Sequence, residues 1–202
     1  MMPPPTLLVF LKYPLPGSVK TRLAASIGHE CAARQYRQWI TLILTQLQSL
    51  RGSVRIVGCF DGAPQAAFSP WHGLVDDWWE QSAGDLGIRL EVAFETWQTG
   101  DASVAAIGTD CLDLDAALVH AAFQMLGETD AVFGPATDGG YYLVGMARYL
   151  PGFFEGVPWS APETLAVHQE KCRQSRWSVG LLPERRDIDT WEDFAEYEQQ
   201  GG

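Results

Sequence analysis

Ala105-Ala106-Ile107-Gly108-Thr109-Asp110-Cys111-Leu112-Asp113 is the stretch from which the fold is read. The short apolar run Val104 to Ile107 reads as a buried strand. It breaks at Gly108 and delivers one carboxylate, Asp110, then a second three residues later, Asp113. In open α/β sheets, ligands bind in the crevice beyond the carboxyl ends of the strands. Acids at such an end suit a hard divalent cation, and a cation there suits a phosphate-bearing ligand. Aspartates after a strand are also common helix caps. Asp110 is the better ligand because it stands directly where the strand ends, whereas Asp115 suits a cap for the helix that follows.

Upstream, Thr6 to Leu11 predicts a first buried strand, which runs into a loop from Lys12 to Leu23. Pro14, Pro16 and Gly17 forbid regular structure there. Tyr36, Trp39, Ile40, Ile43, Leu44, Leu47 and Leu50 recur at helical spacing, Gly52 ends the pattern, and the aromatics read as core. A strand over Val54 to Phe60 ends at Asp61-Gly62, Pro64 to Gly73 reads as irregular, and Trp78 to Gln81 reads as a short strand. A helix through Leu90, Ala93, Phe94 and Trp97 follows, with Asp85 as its N-cap.

Downstream, Leu114 to Leu126 is a helix and Asp130 to Gly134 a strand that stops at Pro135. Asp138-Gly139-Gly140 is a turn leading to a strand over Tyr141 to Met146, a hairpin-like pair. Ser160-Ala161-Pro162-Glu163 has the form of a capping box opening a helix to about Cys172. Trp177 to Leu182 is a late strand, and Thr190 with Asp193 caps a final helix through Phe194 and Tyr197. Strands alternate with helices to about residue 130, so the sheet is mostly parallel with helices on both faces, and the hairpin makes it mixed. With no internal repeat or linker, residues 1–202 are expected to form one domain.

The formal net charge of −11 argues against nucleic acid as a partner. The charge is uneven, however. Met1 to His29 contains no Asp or Glu but carries Lys12, Lys20 and Arg22. The four cysteines and four histidines show no metal-ligand spacing, which argues against zinc and for reduced thiols in a cytoplasmic protein. No apolar run reaches the length of a membrane span, and Met-Met-Pro-Pro-Pro lacks the features of a signal peptide.

Four elements carry candidate chemistry. The Pro- and Gly-rich loop with its lysines can present amide hydrogens and ammonium groups to phosphates, or it is a solvated loop that happens to lack acids. It has neither the P-loop spacing nor the dinucleotide-binding glycines. Asp110 and Asp113 are the second element. At Asp138-Gly139-Gly140-Tyr141 the glycines allow close backbone approach to a ligand, or form a plain tight turn. Asp187 and Asp189 follow the last strand, where a carboxylate can complete a metal site with Asp110 or serve as a cap. No Gly-x-Ser-x-Gly elbow supports a serine triad.

Six blocks then occur in order: Lys-x-Pro-x-Pro-Gly-x-x-Lys-Thr-Arg-Leu (12–23), Gly-Asp-Leu-Gly (84–87), Gly-Thr-Asp-Cys-x-Asp-Leu (108–114), Gly-Pro-Ala-x-Asp-Gly-Gly-Tyr-Tyr-Leu-x-Gly (134–145), Pro-Trp-Ser (158–160) and Asp-x-Asp-Thr-x-Glu-Asp (187–193). Together they resemble a bacterial family of small GT-A-type proteins in the nucleotide-diphospho-sugar transferase superfamily. It is usually labelled glycosyltransferase, with some members named for arsenosugar biosynthesis. The resemblance implies a Rossmann-like three-layer αβα fold with the nucleotide over the amino-terminal half. It implies Mg²⁺ or Mn²⁺ on Asp110 and Asp189, with Asp187 in reserve. It further implies nucleotide contacts from Lys12, Pro16, Gly17, Lys20, Arg22, Asp85, Gly87 and Asp110. Lys20 and Arg22 would stabilise the departing group, Asp138 would contact or deprotonate the acceptor, and Gly139, Gly140 and Tyr141 would line the acceptor site. The implied reaction is glycosyl transfer from a nucleotide-diphospho-sugar to a small-molecule acceptor, without nucleic acid or membrane. Nucleotidylyl transfer from a nucleoside triphosphate with pyrophosphate release is the alternative, and a non-catalytic nucleotide-binding protein the second. The sequence departs from the family at Leu112 and Trp191, where proline is usual, and at Tyr13, where a small residue is common. No oligomeric state follows from it.

Overall fold

The computed structural model describes residues 3–199. Its centre is a seven-stranded sheet: β1 (Thr6–Lys12), β2 (Arg55–Asp61), β3 (Asp77–Glu80), β4 (Val104–Ile107), β5 (Ala131–Pro135), β6 (Tyr141–Met146) and β7 (Val179–Leu181), ordered β3-β2-β1-β4-β6-β5-β7. The first four strands run parallel, β6 is antiparallel to both neighbours, and β5 pairs parallel with β7. The central strands are apolar throughout because both faces are covered. Leu7, Val9 and Leu11 of β1 pack toward α1 (Thr21–Ile27), α2 (His29–Gln46) and α4 (Ala116–Leu126). Leu8 faces the other layer, with α3 (Leu86–Trp97) and α5 (Thr164–Gln174). α6 (Trp191–Gln199) lies on the α1 side. This is the three-layer αβα, mostly parallel mixed sheet that the strand–helix alternation implied.

The caps explain where the helices start. The Asp85 carboxylate accepts from the Ile88 amide at 2.9 Å, and that of Asp115 from Leu118 at 2.8 Å. Thr190 and Asp193 cap α6 reciprocally, each accepting the other's amide. Two local expectations are corrected. Gln65–Leu74 is a 3₁₀ helix and not irregular. Phe68, Trp71 and Leu74 are three apart, so at three residues per turn they share one face, and Phe68 and Trp71 are buried. Ser160 to Glu163 forms no capping box: α5 begins only at Thr164, and Ser160 is left-handed at φ 58°. There the Thr164 hydroxyl donates to the carbonyls of Pro158 and Ala161, which closes the turn before the helix.

The four cysteines are free thiols, and among the described residues no helix is long and apolar enough to cross a membrane. Phe94 of α3 is fully buried and packs on Phe154, with ring centroids 5.1 Å apart. Phe94→Ala is therefore expected to destabilise the fold by about 3–5 kcal/mol. Urea unfolding should show a lowered midpoint with an unchanged slope.

Candidate active site

The carboxyl ends of β1, β2 and β4, with the β5–β6 turn, surround a cleft of about 620 Å³. Lys12, Asp61, Gln81, Arg89, Asp110, Asp138, Asp187 and Asp189 give it charged and polar walls. Phe10, Leu86, Leu90, Tyr141, Val144 and Trp159 give it an apolar side.

The acids come together through the backbone. After β7 the chain runs beside the end of β5, where the Arg185 amide donates to the Pro135 carbonyl and the Thr137 amide to that of Arg185, both at 3.0 Å. It then crosses to β4, where the Ile188 amide donates to the Asp110 carbonyl at 2.9 Å. That bond brings the segment carrying Asp187 and Asp189 to the strand-end aspartate. Lys20 stands between two of the acids. Its ammonium lies 2.6 Å from Asp110 Oδ1 and 2.9 Å from Asp189 Oδ1, and donates to the Ile188 carbonyl at 2.6 Å. Burial disfavours this ammonium, but Asp110 and Asp189 outweigh it and hold its pKa above the usual lysine range. Arg22 is exposed, 3.6 Å from Asp189 Oδ2. Asp187 has a solvent-inaccessible Oδ1 with no partner. Burial and then the Asp110 charge push its carboxyl up to about 7. Among the described residues, no three His, Cys, Asp or Glu side chains form a ready-made metal site.

The other predicted residues divide. Lys12, Asp138, Gly140 and Tyr141 line the cleft. The Asp138 carboxylate accepts from the Gly140 amide through Oδ1 at 2.9 Å. Gly139 is spent on packing: at φ +88°, a Cβ there would come within 2.2 Å of the Pro162 carbonyl oxygen. Asp85 caps α3, and a Cβ on Gly87 would meet the Trp159 indole nitrogen at 2.7 Å, so neither reaches the cleft. Pro16, Gly17 and Asp113 are exposed and outside its lining.

Asp61, Gln81, Arg89 and Tyr36 are among the lining residues that the sequence did not single out. Asp61, at the end of β2, obeys the same strand-end rule as Asp110 and was legible by it. Arg89 donates to Asp61 at 2.8 Å and to Gln81 at 2.9 Å, a pairing across elements that no local pattern marks. Tyr36, on the core face of α2, exchanges a hydrogen bond with Thr109 at 2.8 Å and accepts from the Lys12 amide at 3.2 Å, tying the ends of β1 and β4 together.

A family profile described as an uncharacterized protein conserved in bacteria (DUF2064) matches residues 43–161. The chain belongs to this family. It is also similar to a Desulfovibrio desulfuricans G20 structure assigned as a nucleotide-diphospho-sugar transferase, at 32% identity and a TM-score of 0.84, covering 98% of this chain and 87% of that one. The fold is thus of the nucleotide-diphospho-sugar transferase, GT-A-like type. More distant likenesses show the fold alone. CMP:2-keto-3-deoxy-manno-octonic acid synthetase complexed with CTP matches at 9% identity and a TM-score of 0.62, covering 98% of each chain. Rv0371C of Mycobacterium tuberculosis H37Rv, in complex with manganese, matches at 16% identity and a TM-score of 0.50, covering 95% of this chain and 97% of that one. No curated protein matches.

Behind the apolar wall of this DUF2064 cleft lies His168, fully buried. Phe133, Tyr141, Phe153, Phe154 and Trp159 box it in, with ring centroids 4.9 to 5.9 Å away. Its Nδ1 lies 3.1 Å from the Thr164 carbonyl, and its Nε2 has no partner. Burial lowers its pKa from 6.5 to about 4. The unfolded chain thus takes up a proton below its ordinary pKa while the folded ring stays neutral, so stability is lost as pH falls from 6.5 toward 4. The loss expected at pH 4 is about 3 kcal/mol. His168→Phe should remove that slope, seen as a shrinking difference between wild-type and variant urea midpoints from pH 7 to pH 4.5.

Proposed function

We propose that the chain is a Mg²⁺- or Mn²⁺-dependent transferase acting on a nucleotide-activated donor, and that it transfers a glycosyl group from a nucleotide-diphospho-sugar to a small-molecule acceptor. The observation that carries this reading is the meeting of Asp110 and Asp189 on one ammonium at the carboxyl edge of the sheet, with Asp187 lining the same cleft of about 620 Å³. The donor set fits a hard cation: it is all carboxylate oxygen, one cation is already held there, and the unpartnered Asp187 Oδ1 is a further donor. The manganese in the Mycobacterium tuberculosis fold neighbour agrees with that chemistry. A divalent ion on these carboxylates would neutralise the diphosphate and stabilise the leaving group.

The chain's own groups would do the rest. Lys12 and Arg22 flank the phosphates, and Lys20 joins them when released. Asp138 faces the cleft with one oxygen already held by Gly140, which sets the other to receive an acceptor hydroxyl proton. Gly140 and Tyr141 line the acceptor side. In the step, the acceptor oxygen bonds to C1 of the sugar as the C1–O bond breaks and the nucleoside diphosphate departs with the electron pair.

Nucleotidylyl transfer is the second reading, favoured by the CTP on the synthetase of the same fold. The cationic loop carrying Lys12, Lys20 and Arg22 favours it too, because a triphosphate needs more neutralisation than a diphosphate sugar already on a metal. Incubation with nucleotide-sugars and nucleoside triphosphates in Mn²⁺ separates the readings. Nucleoside diphosphate release is the expected result, pyrophosphate release supports the second reading, and metal-dependent nucleotide binding without turnover supports a binding protein. A nucleotide at 100 times its Kd should add about 2.7 kcal/mol to stability in Mn²⁺. Asp110→Asn is expected to lower turnover about 10²–10³-fold while the chain stays folded, with some loss of melting temperature from the weakened Lys20 pair. Nucleotide stabilisation that needs no metal and survives Asp110→Asn would overturn the metal site.

A further inference from the structure

We propose that Lys20 is the resident cation of the metal site, holding the place of the divalent ion until a diphosphate draws its ammonium away, so that the site takes up metal only together with a phosphate-bearing ligand. The inference rests on the reading of Asp110 and Asp189 as metal ligands.

Three observations support it. First, the ammonium is held from three sides. It donates to Asp189 Oδ1 at 2.9 Å and to the Ile188 carbonyl at 2.6 Å, and it is ion-paired with Asp110 Oδ1 at 2.6 Å. Lys20 therefore turns to a phosphate only by loosening its hold on a carboxylate.

Second, the oxygens it holds belong to the residues expected to carry the metal. A divalent ion bound at the two Oδ1 atoms and the Lys20 ammonium are like charges competing for one place. The Lys20 side chain is only 6% exposed, whereas Asp110 and Asp189 are 43% and 45% exposed, so the ammonium holds the inner side of carboxylates that an ion from solvent can reach. Arg22, by contrast, is 72% exposed and lies near Asp189 Oδ2, so it does not contest Oδ1.

Third, the arrangement is held under local strain. Lys20 is the N-cap of α1 with φ 47° and ψ 47°, the left-handed region that side-chain-bearing residues rarely occupy. Such a conformation persists only where its surroundings over-determine it. Here the surroundings are the two aspartates and Trp39, whose ring centroid lies 5.5 Å from the ammonium. A diphosphate in the cleft offers the ammonium new acceptors. The exchange passes Lys20 from carboxylate to phosphate and frees the two Oδ1 atoms in the same event.

Equilibrium dialysis of the full chain against Mn²⁺, without nucleotide, tests this. Lys20→Met should bind Mn²⁺ about tenfold more tightly than wild type, and Lys20→Arg, which keeps the charge, should return to weak binding. Should the Met variant fail to fold, wild type alone decides. Pyrophosphate near its saturating concentration should raise the amount of protein-bound Mn²⁺ at a given free Mn²⁺ by about tenfold. Wild type binding Mn²⁺ alone as tightly as Lys20→Met, or as tightly with pyrophosphate as without it, would overturn the inference and leave the metal site standing. Absence of Mn²⁺ binding in every chain and condition would instead remove the metal site, and this inference with it.

Discussion

One ammonium joins three remote parts of this chain. Lys20 belongs to the loop after the first strand, Asp110 to the end of the fourth, and Asp189 to the segment leading into the last helix. Without that cation, carboxylates 110, 187 and 189 would meet at the edge of the sheet, with the exposed Arg22 left as the ion-pair partner of Asp189. Their repulsion is already visible in Asp187, whose carboxyl is pushed up first by burial and then by Asp110. The cleft is thus an electrostatic arrangement before it is a shape. Its cation is needed to close it, and the same requirement makes it a place for a cation from outside.

The backbone accounts for why the acids meet at all. β6 runs against its neighbours, so the β5–β6 turn comes up at the edge where the parallel strands end. The returning segment after β7 follows the end of β5 and is then caught by the Asp110 carbonyl. Asp138, Asp187 and Asp189 reach the cleft by this route. None of them needs a helix of its own to be positioned.

Much of this was legible in the residues. Buried strands announce themselves by apolar runs, and Asp85, Asp115 and the Thr190–Asp193 pair cap the helices whose starts they marked. Asp110 and Asp138 stand on the cleft where strand-end and turn reasoning put them. What was missed depends on partners distant in sequence. Tyr36 has the spacing of a core residue and is one, yet its hydroxyl emerges at the cleft and binds Thr109, 73 residues away. Gly139 read as a site of ligand approach and Gly87 as a nucleotide contact by resemblance, but the close neighbours are Pro162 and Trp159 of the same chain. A glycine states that something comes near and does not say what. Ser160 satisfied the pattern of a capping box, but the Thr164 hydroxyl closes the turn first and α5 starts later.

Gly139 carries one more implication. Its α-carbon is pressed against Pro162, and its carbonyl accepts the Leu165 amide at 3.1 Å. The β5–β6 turn and the start of α5 are therefore interlocked. A side chain at position 139 would thus do more than crowd a turn: it would part the two elements from which the acceptor side of the cleft is built.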